Sequence, residues 1–157
     1  MSITAEQTST THPVHVRTTD GPLSAEMALR HCSAPGHGAA DLFIGRVRDL
    51  NQGKSVEGVS YDLHPVLCER VFAEICKEAR REWGEELHIW LEHRYGRLKV
   101  GEASVVAAVS SPHRDESFRA CRYLVEQMKH RAPIWKQEHY VDGDSEWVQG
   151  HALCQHG

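Results

Sequence analysis

Apolar residues recur at helical spacing in two long stretches of the chain. From Ser110 to Lys136 the sequence reads SSPHRDESFRACRYLVEQMKHRAPIWK, and Phe118, Cys121, Leu124, Val125 and Met128 within it form a stripe that predicts an amphipathic helix. Asp115 and Glu116 sit where the positive end of a helix dipole favours acids. Pro133 has no backbone donor and disfavours helical geometry in the residue before it, so the helix is expected to stop near Arg131-Ala132. A second helix is predicted from Val66 to Trp83. Leu67, Val71 and Ile75 line up beside Cys68, Phe72, Cys76 and Ala79, while Glu69, Arg70, Glu74, Lys77, Glu78, Arg80 and Arg81 face outward. A shorter helix carrying Glu26, Met27, Ala28 and Leu29 has Ser24 as its cap and ends before Pro35-Gly36.

Between the helices the period changes to two. Val14 to Arg17, Val56 to Leu63 and Leu87 to His93 alternate like strands, and Glu138 to Val141 and Glu146 to Gln149 flank a turn at Asp142-Gly143-Asp144-Ser145. Ala39 to Val47 is expected as a buried strand. The nearly unbroken apolar run Ala103 to Val109 predicts a central strand covered on both faces. Tyr95-Gly96-Arg97-Leu98 reads as turn. The order β-α-β-β-α-β-β-α-β-β predicts an α+β domain, a mostly antiparallel sheet with long amphipathic helices packed on it. Residues 13–150 are expected to form one domain, with a flexible polar tail over 1–12 and a loose tail over 151–157.

At 157 residues the chain is long enough for a single core. A formal net charge of −4 argues against a general nucleic-acid binder but leaves room for a local basic pocket suited to a small anion. Five cysteines, Cys32, Cys68, Cys76, Cys121 and Cys154, form no Cys-x-x-Cys pair, so neither a disulfide framework nor a zinc knuckle is expected. The twelve histidines show no metal-ligand spacing. No segment has the roughly 20 apolar residues of a membrane span or the core of a signal peptide, so a cytoplasmic protein with no membrane partner is expected.

Candidate chemistry collects at four places. Arg46 and Arg48 stand at the end of a strand, where ligand groups are common. His113 and Arg114 precede the long helix, Lys129 lies in its last turn, and Lys136 follows the break. Arg114 and Lys129 are fifteen residues apart, roughly 22 Å along a helix. One small ligand does not span that distance, so a pocket using both ends is expected to combine two copies of the chain about a twofold axis.

The run Lys-His-Arg-Ala-Pro-Ile-Trp-Lys, together with Ser-Pro-His-Arg upstream and Phe43-Ile44-Gly45-Arg46-Val47-Arg48-Asp49, resembles the large, catalytic subunits of molybdopterin synthase, the MoaE family. The resemblance spans Leu42 to Trp147. It implies a hammerhead-like α/β arrangement and an enzyme that converts a cyclic pyranopterin monophosphate into molybdopterin by installing two sulfurs as a dithiolene. The sulfur arrives as a thiocarboxylate on the C-terminal glycine of a small ubiquitin-like subunit, in a heterotetramer built on a homodimer of this chain. No resident cofactor or metal is implied.

By the same resemblance Arg46, Val47, Arg48, His113, Arg114, Lys129, Lys136, Gln137 and Glu138 line the substrate pocket, with Lys129 and Lys136 catalytic. Arginine's planar fork suits the phosphate, so Arg48 and Arg114, with His113 beside it, are expected to anchor the substrate; the lysines suit the thiocarboxylate and developing negative charge, with Lys129 the first choice for catalysis. Two positions depart from the family pattern. His64 stands where many relatives carry tyrosine, and His151 is the nearest basic residue after Trp147. The rival readings are an enzyme acting on another phosphorylated small molecule, and a non-catalytic module that captures a partner's C-terminal tail.

Overall fold

The apolar run expected at the centre forms a strand paired with another strand on either side and covered by helices above and below. The computed structural model describes residues 12–149, in the order β1 (Val14–Thr19), α1 (Ala25–His31), β2 (Ala39–Arg46), β3 (Leu50–Asn51), β4 (Lys54–Leu63), α2 (Pro65–Trp83), β5 (His88–Arg94), β6 (Gly96–Lys99), β7 (Ala103–Ser111), α3 (Arg114–Arg131), β8 (Ile134–Tyr140), β9 (Gly143–Asp144) and β10 (Val148–Gln149). One sheet has the order β1-β5-β7-β2; the other runs β10-β8-β4-β3, with β6 on β4 and β9 on β8. Among the described residues only β1 pairs in parallel, with β5; every other ladder is antiparallel. The expectations for residues 1–11 and 151–157, including Cys154 and His151, lie outside the described residues.

The first sheet is covered on both faces. Phe72, Ile75 and Cys76 of α2 and Ala120, Cys121, Leu124 and Met128 of α3 pack on Ile89, Leu91, Val105, Ala107 and Val109. On the opposite face Ala28 of α1 and Cys32 close over Trp90, Val106 and Ala108. This second layer explains why β5, whose pattern alternates, is buried from Ile89 through His93. Its polar-looking face meets a short helix instead of water.

Several expectations change in register or in kind. The buried face of α3 is Ser117, Ala120, Cys121, Leu124 and Met128, and Phe118 is 60% exposed. Small residues at 117 and 120 let the helix approach the sheet, which turns the bulkier Phe118 outward. Leu67 is likewise exposed on α2. Gly96–Lys99 is a strand, not a turn, and pairs with β4. Close approach explains the glycine opposite it: a Cβ on Gly58 would lie 2.6 Å from the Leu98 carbonyl oxygen. The expected buried strand at Ala39 is an edge strand and only half-buried. His64 caps α2, its Nδ1 accepting from the Leu67 amide at 3.3 Å, which gives this departure from the family pattern a local role.

One charge is deep in the fold. Glu92 on β5 is fully buried and accepts from Arg17 Nε at 2.7 Å and from His15 Nε2 at 2.7 Å. Burial alone raises a carboxyl pKa; here the bonds from His15 and Arg17 and the arginine charge outweigh it and hold Glu92 below the ordinary 4.5. A lowered folded-state pKa contributes stability that is present above 4.5 and lost as pH falls toward the folded value. Glu92→Gln is therefore expected to lower unfolding free energy by about 1–3 kcal/mol at pH 7 and to flatten the acid limb below pH 4.5, as measured by denaturant titration across pH.

Candidate active site

The two sheets meet beside the C-terminal end of α3, and a cavity of about 270 Å³ opens at that seam. Its floor is the helix-facing side of the first sheet, with Phe43, Gly45, Val105 and His93. Met128, Lys129 and Ala132 close it from α3, and Tyr61, Ile134 and Lys136 wall it from the second sheet. Gly45 is required by space, since a Cβ there would lie 2.5 Å from Val105 Cγ1. The ladder between β2 and β7 shifts register at Gly45/Arg46, a bulge that re-aims the side chain following it.

Arg46 and Arg48 both line the cavity although β2 ends at Arg46. The residue between them explains this. Val47 is buried against Val56, Val59 and Leu98, its amide donates to the Glu102 carbonyl at 3.0 Å, and its carbonyl accepts from Gly101 at 2.8 Å. With Val47 anchored inward, its two neighbours project outward from a fixed stretch of backbone. Val47 and Glu138 also line a recess of about 40 Å³ alongside.

Lys129 and Lys136 reach the same cavity from opposite sides of the Pro133 break. Their environments differ. Lys136 is largely buried and its Nζ lies 2.7 Å from Glu138 Oε1. Lys129 is exposed to the cavity mouth, and among the described residues no carboxylate lies within ion-pair distance of it. The carbonyls ending α3 favour a cation there. So Lys136 is neutralised in place while Lys129, Arg46 and Arg48 keep their charge for a ligand.

The remaining expected residues lie elsewhere in this single chain. His113 and Arg114 are exposed at the N-terminal end of α3, roughly 22 Å from Lys129 by helix rise. Gln137 points to the other face of β8 from Lys136 and donates to the Ser145 carbonyl at 3.3 Å. Ser60, His139 and Asp144 form a hydrogen-bonded relay on that other face, 2.6 Å and 2.8 Å between successive partners. It has the order of a hydrolytic triad, but Ser60 lines neither the cavity nor its neighbouring recess and Asp144 is exposed. It clasps the β9 turn to β4.

Sequence reasoning missed His93, Tyr61 and Ser104, which all line the cavity. For His93 a signal existed: Ile89, Leu91 and His93 share one strand face, so a histidine ends an otherwise apolar row. Burial and the nearby Lys129 charge push its pKa down to about 4, and the ring is neutral at physiological pH. The described cysteines are buried, and burial pushes the thiols of Cys32, Cys76 and Cys121 up to about 12 and Cys68 up to about 11. None of the four is a ready nucleophile.

Comparison with known proteins fits this architecture. The family model described as MoaE protein matches residues 18–131. A molybdopterin synthase catalytic subunit from Synechococcus elongatus is 46% identical over 144 residues, covering 92% of this chain and 86% of the relative. The crystal structure of molybdopterin synthase from Staphylococcus aureus superposes with a TM-score of 0.80 at 31% identity, covering 84% of this chain and 95% of the other. A chain of the complex of subunits 1 and 2 of molybdopterin-converting factor from Helicobacter pylori shares the fold, with a TM-score of 0.66 at 20% identity over 85% of this chain and 88% of the other. On these grounds the chain belongs to the MoaE family and is a catalytic subunit of molybdopterin synthase, an enzyme of molybdenum cofactor biosynthesis.

Proposed function

We propose that the cavity holds the cyclic pyranopterin monophosphate and receives the C-terminal thiocarboxylate of a small ubiquitin-like subunit, and that two such sulfur transfers make the dithiolene of molybdopterin. One observation carries this reading. Four cations, two at the end of β2 and one on either side of the Pro133 break, line a single cavity that no described carboxylate lines, and Glu138 in the recess alongside is already bound to Lys136. The surplus of positive charge suits two anionic reactants, a phosphate and a thiocarboxylate, better than one. Arg46 and Arg48 take the phosphate through paired N–H donors. Lys129, the lysine without a carboxylate partner among the described residues, stabilises negative charge as sulfur bonds to the pterin carbon. Lys136, fixed by Glu138, guides the incoming tail.

The raised thiols support an external sulfur source, because no described cysteine competes as the donor. The chain then works without a resident cofactor. A sulfur-carrier partner is in keeping with the Helicobacter pylori structure, which is a complex of two subunits. No helix among the described residues is long and apolar enough to cross a membrane, which suits a cytoplasmic setting.

A homodimer completes the site. His113 and Arg114 lie too far from Lys129 to serve the same ligand within one chain, and the outer edge of β2 is unpaired among the described strands. Beside that edge, a groove lined by Leu42, Phe43, Phe118 and Val125 runs along α3. Covering it with the same face of a second copy buries Phe118 and brings the N-terminal end of one α3 toward the C-terminal end of the other.

Reconstitution tests the reaction: the purified chain, the cyclic pterin monophosphate and a thiocarboxylated small subunit are expected to yield dithiolene product. Lys129→Ala is expected to lower the rate by roughly 10²–10³-fold with partner affinity unchanged. Arg48→Ala is expected to weaken pterin binding roughly ten- to hundredfold, and unchanged affinity contradicts the phosphate role. For the shared site, inactive Lys129→Ala and Arg114→Ala chains mixed in one dimer are expected to recover activity at one of the two sites; no recovery contradicts it.

A further inference from the structure

The cavity's polar inventory is lopsided. Arg46, Arg48, Lys129 and Lys136 only donate hydrogen bonds. Of the two hydroxyls, that of Ser104 donates to the Gly45 carbonyl at 3.3 Å, which leaves its oxygen to accept, and that of Tyr61 can donate or accept. A phosphate and a thiocarboxylate consist of acceptors and match these donors. A pterin ring also carries N–H groups, which need an acceptor when they leave water, and leaving one unpaired costs about 1–3 kcal/mol.

His93 meets that need. Its Nδ1 lies 2.7 Å from the Arg94 carbonyl oxygen. A carbonyl only accepts, so Nδ1 carries the hydrogen, and Nε2 of the neutral ring is left with its lone pair. No described group hydrogen-bonds Nε2, and it is not among the polar atoms sealed from solvent without a partner. The ring is only 5% exposed, and Tyr61 packs against it edge to face at 4.9 Å. Its orientation is thereby fixed by one hydrogen bond and one aromatic contact. The floor of a cationic cavity thus holds an imidazole nitrogen preset as an acceptor.

We propose that His93 is a specificity-determining residue whose Nε2 accepts a hydrogen bond from a ring N–H of the bound pterin. The arginines hold the phosphate, and His93 reads the heterocycle to which it is attached. This rests on the cavity being the pterin site. It assigns His93 to substrate discrimination, separate from the charge stabilisation given to Lys129.

The test compares binding of the cyclic pterin monophosphate and of inorganic phosphate to the full chain and to two variants. His93→Phe keeps the ring and its contact with Tyr61 but removes the acceptor; His93→Gln restores one through its amide oxygen. The phenylalanine variant is expected to bind the pterin roughly ten- to hundredfold more weakly, with phosphate affinity unchanged and pterin binding largely restored in the glutamine variant. Pterin affinity within twofold of wild type in the phenylalanine variant overturns the assignment, as does an equal loss for phosphate. If the phenylalanine variant fails to fold, wild-type protein is titrated with pterins methylated at each ring nitrogen in turn. One of these is then expected to lose affinity to the same degree, and uniform binding overturns the assignment. A wild-type chain that binds no pterin at all refutes the site itself, an outcome distinct from failure of His93 alone.

Discussion

Like charges confined in a small volume repel, and that repulsion is the constraint around which this fold is arranged. At an effective dielectric of about 20, two unit charges about 8 Å apart repel by about 2 kcal/mol. Four cations around a cavity of about 270 Å³ therefore oppose folding unless they are neutralised or left partly in solvent. The structure does both. Glu138 neutralises Lys136 in the buried wall, while Arg46, Arg48 and Lys129 stay at the exposed rim. The proposed binding of an anion and the repulsion that remains among these cations have the same origin.

Holding the cations there requires rigid neighbours. Val47 is buried between the two arginines, Pro133 ends α3 between the two lysines, and Gly45 lets the floor of the first sheet lie close to Val105. None of these three touches a ligand through a charged group. Each instead sets the direction of a residue that can, and their substitution is a change to the site even though their chemistry is inert.

Much of this was legible in the sequence because it followed from periodicity. The two long helices, the doubly covered β7 and the helix stop before Pro133 each came from a pattern that a single principle decodes. Arg46, Arg48, Lys129 and Lys136 were legible through residue type and resemblance, and they meet at one cavity. Part of what was hidden depended on contacts remote in sequence. The pairing that sets Lys136 apart from Lys129 did not: Glu138 lies two residues further on and shares its strand face. Phe118 fits the apolar stripe by spacing, yet Ser117 and Ala120 take its place against the sheet. His93 looked like one of twelve scattered histidines until the sheet put it under Lys129. Gln137 follows Lys136 directly, and strand alternation sends it to the opposite face.

The most direct test of the convergent cation cluster is a crystal structure of this chain, assembled with its sulfur-carrier subunit, with the cyclic pterin monophosphate bound. The account predicts the phosphate oxygens within hydrogen-bond distance of Arg46 and Arg48 and the carrier's terminal glycine beside Lys129. Electron density for the pterin on any other surface, with the cavity at the α3 terminus left to water, contradicts it.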